Sequence, residues 1–156
     1  MPRGFGGPYW WKGRFRGFGY RVTIPRQAIL EVFSKSDKHL SAEDIYNQIH
    51  NRYPGIGFTT IYRTLQLLVN MGLISRFDFG DGRARYELRQ GPNADHHHHL
   101  VCTNCGRIID YSEFIDKEKD LLEKTETGLS KKYNFKIDSH QIHFYGLCEK
   151  CNKGGE

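Results

Sequence analysis

The sequence predicts an α+β fold in two parts, an N-terminal winged helix-turn-helix domain and a small C-terminal α/β domain. Three observations carry that expectation. Three segments with helical apolar spacing precede two short alternating runs around Gly80-Asp81-Gly82, which is the element order of a winged helix. A Gly-Pro stretch, "RQGPNAD" at residues 89–95, then breaks the pattern and reads as a linker. Beyond it, a strand-helix-strand pattern is flanked by all four cysteines of the chain, Cys102/Cys105 and Cys148/Cys151. The expected organisation is a flexible basic Gly/aromatic tail over 1–18, a winged helix over 19–89, a linker over 90–95 and a metal-binding domain over 96–156.

The elements follow in order. "MPRGFGGPYWWKGRFRGFG" is rich in Gly, Arg and aromatics, and its glycines interrupt every run, so it reads as a flexible tail. Such Arg and aromatic content resembles segments that bind single-stranded nucleic acid by charge and stacking. "TIPRQAILEVFSKS" offers Thr23 as a cap and Pro25 in the first turn, with Ala28, Ile29, Val32 and Phe33 as its apolar stripe. Ser41-x-x-Asp44 then opens a second helix as a capping box, with Ala42, Ile45 and Ile49 on one face and Pro54-Gly55 ending it. In "TTIYRTLQLLVNMG", Ile61, Leu65, Leu68 and Met71 form the inner face and Gly72 the C-terminal cap. Thr59, Tyr62, Arg63, Gln66 and Asn70 share an outer face that has donors, a cation and an aromatic but no acid. "LISRFDFGDGRARYEL" reads as a hairpin with Arg83 and Arg85 near its tip, a wing placed to meet the phosphate backbone while the preceding helix enters the major groove.

Charge is concentrated at the N-terminus. The chain of 156 residues has a net charge of +5, yet residues 1–30 hold six bases and no acid, against 17 bases and 18 acids elsewhere. That asymmetry fits a polyanionic partner such as nucleic acid, or a solvated tail. No run is long and apolar enough to span a membrane and no secretory leader is visible, so a cytoplasmic location is expected.

Two Cys-x-x-Cys pairs in a chain expected to be cytoplasmic point to metal and away from disulfides. Four thiolates make a closed, tetrahedral zinc site, so Cys102, Cys105, Cys148 and Cys151 are expected to hold one structural Zn²⁺. The 42 residues between the pairs make this a bridge between elements. Just before the first pair stands "HHHH", His96 to His99. In an extended strand its side chains alternate, so His97 and His99 face one way and His96 and His98 the other, feeding two different sites. Imidazole with oxygen donors suits Fe²⁺, Mn²⁺, Co²⁺ or Zn²⁺, and His39, Glu87, Asp110 and His140 are candidate partners. The second domain follows as a strand in "RIIDY", a helix over "SEFIDKEKDLLEKTETGLSKKY" with Phe114, Leu121, Leu122 and Leu129 inside, and a strand in "FKIDSHQIHFYGLC".

Together "GYRVTIPRQAIL", "HLSAEDIYNQI", "TTIYRTLQLLVNMGLI", "HHHHLVCTNCGRIIDY" and "HFYGLCEKC" resemble the ferric uptake regulator (Fur) family of metal-dependent transcriptional repressors, from about Gly19 to Cys151. The resemblance implies a homodimer joined through the C-terminal domain, binding double-stranded DNA at pseudo-palindromic operators once a regulatory metal is loaded. It implies structural zinc at the four cysteines. It implies a regulatory site of His39, Glu87, His97, His99 and Asp110 for Fe²⁺, Mn²⁺ or Zn²⁺, joining both domains. A third site is implied at His96, His98 and His140 with an acid from the helix start, assigned to Asp116 with Glu113 or Glu118 as alternatives. DNA contacts fall on Arg21, Thr59, Tyr62, Arg63 and Gln66. The segment before Gly19 matches no hallmark of the family. A peroxide-sensing repressor, in which bound Fe²⁺ oxidises His97 or His39, shares this scaffold. Two other classes compete: a metalloenzyme, which lacks a recognisable general base or nucleophile, and an RNA-binding module built on the tail. The expectation is a regulator and not an enzyme.

Overall fold

A computed structural model describes residues 11–36, 39–89 and 97–153. The chain divides into two compact units, residues 1–92 and 93–156. Residues 1–10, the expected linker over 90–95 and His96 lie outside the described residues.

In the first unit, residues 11–17 correct the expectation of a flexible tail. Helix α1, Trp11–Gly17, places Trp11 and Phe15 four residues apart on one face, and both are buried. Their rings meet edge-to-face at 5.9 Å and join the same core as Ile29, Leu30 and Leu65. Two helical glycines, Gly13 and Gly17, cost about 1 kcal/mol each relative to alanine. Burying an aromatic of this size returns about 1.5–3 kcal/mol apiece, so burial wins. Arg26 covers the outer side of this corner, over the rings of Phe15 and Tyr20.

Helices α2 (Ile24–Ser34), α3 (Ala42–Ile49) and α4 (Phe58–Asn70) form the body of the unit. Each buries the stripe its spacing dictates: Ala28, Ile29, Val32 and Phe33 from α2, Ala42, Ile45 and Ile49 from α3, and Ile61, Leu65 and Leu68 from α4. Thr23 stands at the N-cap of α2, but its side chain makes no cap hydrogen bond. The capping box of α3 is complete: Ser41 Oγ accepts from the Asp44 amide at 3.2 Å, and the Ser41 amide donates to Asp44 Oδ2 at 2.9 Å. That helix stops at Ile49, a turn before Pro54. At the end of α4, Gly72 adopts φ +69°. Its amide donates to the Val69 carbonyl at 2.9 Å and the Leu73 amide to the Leu68 carbonyl at 3.0 Å, which closes the helix and turns the chain into the wing.

The wing is an antiparallel hairpin of β1 (Ile74–Asp78) and β2 (Ala84–Leu88), in register from Ile74↔Leu88 to Asp78↔Ala84. Gly80 and Gly82 both take positive φ in its tip. Leu40 adds a single rung to β2, exchanging two backbone hydrogen bonds with Tyr86 at 2.9 and 2.8 Å. That rung sets His39 beside the hairpin.

The second unit is a three-stranded sheet in the order β4-β3-β5, with α5 connecting β4 to β5. Strand β3 (His98–Cys102) runs antiparallel to β4 (Ile108–Tyr111) and parallel to β5 (His143–Gly146). Helix α5, Ile115–Tyr133, departs from expectation because it buries no residue. Phe114 is 75% exposed, Leu121 66% and Leu129 43%, with Leu122 half-buried. Three short strands are too little surface to cover a 19-residue helix in so small a unit. Helix α6, Glu149–Lys153, closes the second cysteine pair.

Candidate metal centres and nucleic-acid interface

The four cysteines converge because β3 and β5 are parallel neighbours. Cys102 pairs with Gly146 at the end of both strands, so the turn after β3 and the turn after β5 leave the sheet at the same edge. All four Sγ atoms lie within 4.8 Å of one another, and Cys105 and Cys148 approach to 3.7 Å. A tetrahedral Zn²⁺ with Zn–S near 2.3 Å needs S···S edges of about 3.8 Å, so this donor set fits the ion. None of the four forms a disulfide. The cluster is uneven: backbone hydrogen bonds from Cys105 and Cys148 hold the Cys102 thiol down at about 6, well below an ordinary cysteine, while Cys151, against the lowering bond from Asn104, is pushed up to about 11 by the neighbouring cysteines of the cluster. Asn104 Nδ2 donates to Cys151 Sγ at 3.3 Å.

In the first unit the Leu40 rung brings His39 Nε2 to 3.0 Å from Glu87 Oε2 on β2. Phe77 and Phe79 hold the imidazole edge-on, each at 5.6 Å. Two donors on one ion with bonds near 2.1 Å and a right angle between them stand about 3.0 Å apart, so this pair is spaced as adjacent ligands.

In the second unit, strand parity separates the histidines. His99 is paired across the sheet with Asp110 on one side and His143 on the other. Its Nε2 lies 3.6 Å from Asp110 Oδ1 and its Nδ1 3.3 Å from His143 Nδ1, while the His97 ring stands edge-on at 5.1 Å. His98 looks to other partners. Its Nδ1 lies 2.5 Å from Glu118 Oε2 and 3.3 Å from the Tyr111 hydroxyl, and its ring is 5.9 Å from that of His140. Tyr111 donates to Glu118 Oε1 at 3.1 Å. Burial, and then the bond to Glu118 and its charge, push the Tyr111 phenol up to about 12, so it remains a donor at neutral pH. His140 Nδ1 contacts Glu126 Oε1 at 2.6 Å.

The assignment of Asp116 to this cluster is corrected: the helix acid at His98 is Glu118, and Asp116 is exposed. Positions 116 and 118 differ by about 200° around a helix, so only one of them can turn toward the sheet. Glu126 and His143 escaped sequence reading. The signal for His143 was its place in the alternating run that follows His140, but its neighbour across the sheet depends on a parallel register that no local pattern specifies.

On α4, Thr59, Tyr62, Arg63, Gln66 and Asn70 are all exposed, and Gln66 Nε2 donates to Asn70 Oδ1 at 3.0 Å. Arg21, ahead of α2, is exposed as well. The wing is less positive than its sequence suggests. Arg85 pairs with Asp81 at 2.6 Å, and Arg83 reaches Ser41 Oγ at 3.2 Å and Glu43 at 3.6 Å.

A winged helix with an acid-free outer helix face, together with a thiolate tetrahedron and histidine-carboxylate pairs, defines a metal-dependent DNA-binding transcription regulator. Comparison with known proteins narrows the class. A sequence model of the ferric uptake regulator family matches residues 17–145, and the chain belongs to that family. The ferric uptake regulation protein of Bacillus subtilis (strain 168) is 39% identical over 142 residues, covering 90% of this chain and 91% of its own. The ferric uptake regulator of Francisella tularensis, solved with iron, superposes with a TM-score of 0.68 at 28% identity, covering 86% of this chain and 96% of its own. Helicobacter pylori Fur, described as having three functional metal binding sites, gives 0.70 at 25% identity, covering 93% and 91%. Among the described residues, no helix is long and apolar enough to cross a membrane.

Proposed function

We propose that the chain is a homodimeric repressor that binds pseudo-palindromic double-stranded DNA when one regulatory divalent ion, Fe²⁺, Mn²⁺ or Zn²⁺, is held jointly by His39, Glu87, His97, His99 and Asp110. The observation that carries this reading is the spacing within each unit: His39–Glu87 at 3.0 Å in the first and His99–Asp110 at 3.6 Å in the second. Each is a ligand pair too small to hold an ion tightly alone. An ion that takes ligands from both units supplies a cross-link whose strength depends on their arrangement. It favours the DNA-binding arrangement only by its differential affinity for it, which in such switches is on the order of 1–3 kcal/mol.

The Cys102/Cys105/Cys148/Cys151 zinc serves the fold of the second unit in this reading, clipping β3 to β5 beneath the sensing histidines. Support for a second copy comes from exposed apolar surface. Leu100, Ile109 and Phe144 form one row across the sheet and α5 adds Leu121 and Leu129, all at least 37% exposed. The His98/Glu118/His140 cluster, on the face of β3 opposite His99, is a further ion site in this reading, and His96, outside the described residues, is a proposed additional ligand. Arg21, Thr59, Tyr62, Arg63 and Gln66 meet the operator, α4 in the major groove.

Selection from a random double-stranded DNA library, using protein that carries only the one structural Zn²⁺ per chain, with and without Mn²⁺, tests the reading. Pseudo-palindromic sites are expected to enrich only with Mn²⁺ and to bind at least about tenfold tighter with it. Equal enrichment in both arms contradicts the switch.

A further inference from the structure

Among the metal-competent side chains around β3, His143 belongs to neither the proposed regulatory set, His97, His99 and Asp110, nor the opposite-face cluster of His98, Glu118 and His140. Its position is fixed by the sheet. The parallel pairing sets His143 directly beside His99, and the antiparallel pairing sets Asp110 on the other side. His99, 2% exposed, thus has a separate neighbour at each ring nitrogen: Asp110 Oδ1 at Nε2 and His143 Nδ1 at Nδ1.

We infer that His143 is a positioning residue for the regulatory metal, accepting a hydrogen bond from His99 Nδ1–H and so holding the His99 Nε2 lone pair toward the ion. The inference rests on the regulatory reading of His99 and Asp110. A neutral imidazole carries one ring proton, and the nitrogen that binds metal must be the bare one. With the ion beside Asp110, Nε2 is the ligand and the proton resides on Nδ1. The contact of 3.3 Å to His143 Nδ1 then has one polarity: His99 donates and His143 accepts, its own proton on Nε2. The two nitrogens of one ring point in widely diverging directions. An ion on Nε2 therefore lies beyond the reach of an imidazole seated at Nδ1, and His143 acts through His99 and not as a ligand. Outer partners of this kind fix the tautomer and ring orientation of a ligating histidine, and their loss weakens metal binding by roughly 10–100-fold.

Mn²⁺ titration of the zinc-loaded full chain, read as the free-ion EPR signal, tests this with His143→Phe, His143→Asn and His99→Ala. Asn places an acceptor oxygen near the lost Nδ1, and Phe does not. Expected is a loss of about 10–100-fold in Mn²⁺ affinity for His143→Phe, with most of it restored in His143→Asn and one zinc retained in both. Wild-type affinity in His143→Phe overturns the inference, and so does an Asn variant as weak as Phe. If His99→Ala also binds Mn²⁺ like wild type, the regulatory assignment itself fails, a result distinct from the other two. Long-range ¹H–¹⁵N spectra of the unaltered protein loaded with Zn²⁺ at the structural and regulatory sites give a reading that needs no variant. His99 protonated at Nδ1 and His143 at Nε2 are expected; His143 protonated at Nδ1 contradicts the assignment.

Discussion

His98 and His99 are adjacent in the chain, both are 2% exposed, and they share no polar partner among the contacts described above. Strand parity alone makes the difference, and it was legible in four identical letters, since alternation needs only the knowledge that the segment is extended. The phase of a helix was less legible. Asp116 and Glu118 are equally acidic and equally near the start of α5, and the choice between them turned on where the helix begins. Changing Glu118 to Ala is expected to destabilise the second unit by about 1–3 kcal/mol, because Tyr111 and buried His98 lose their shared acceptor. Asp116→Ala, an exposed change, is expected to stay within about 0.5 kcal/mol. Urea denaturation of the zinc-loaded protein measures both, and equal effects from the two would refute the assignment of Glu118.

At the scale of elements, local rules read α3 and α4 well because cap, stripe and stop agree in each. Ser41→Ala removes the oxygen that accepts from the Asp44 amide, and a cost of about 1 kcal/mol in thermal or chemical denaturation is expected. Helix α1 was hidden for the opposite reason. Its glycines argue against a helix, and its one strong feature, the pair Trp11 and Phe15, has meaning only when the core that receives it is known. Trp11→Ala is accordingly expected to cost about 3–5 kcal/mol, which a truly flexible tail would not show. Helix α5 failed in the other direction. Its apolar positions were assigned to an interior that one chain does not supply, and Leu121 and Leu129 stand exposed.

For the whole molecule, the two-part organisation was legible from one Gly-Pro stretch and a change of pattern, while the joining of donors across the chain was not. His39 and Glu87 are 48 positions apart and meet through a single backbone rung at Leu40 and Tyr86, a contact no periodicity announces. Binding of DNA should fall steeply with salt as phosphate contacts release counterions, and Arg63→Ala should lower the affinity; a salt-independent affinity would argue against the α4 face. The central claim is that the two units share one ion. Mn²⁺ titration by EPR of His39→Ala/Glu87→Ala and of His97→Ala/His99→Ala, both zinc-loaded, tests it most directly. Each double variant is expected to lose the same single tight equivalent, since each removes half of one site. Retention of that equivalent in either variant would contradict a shared ion.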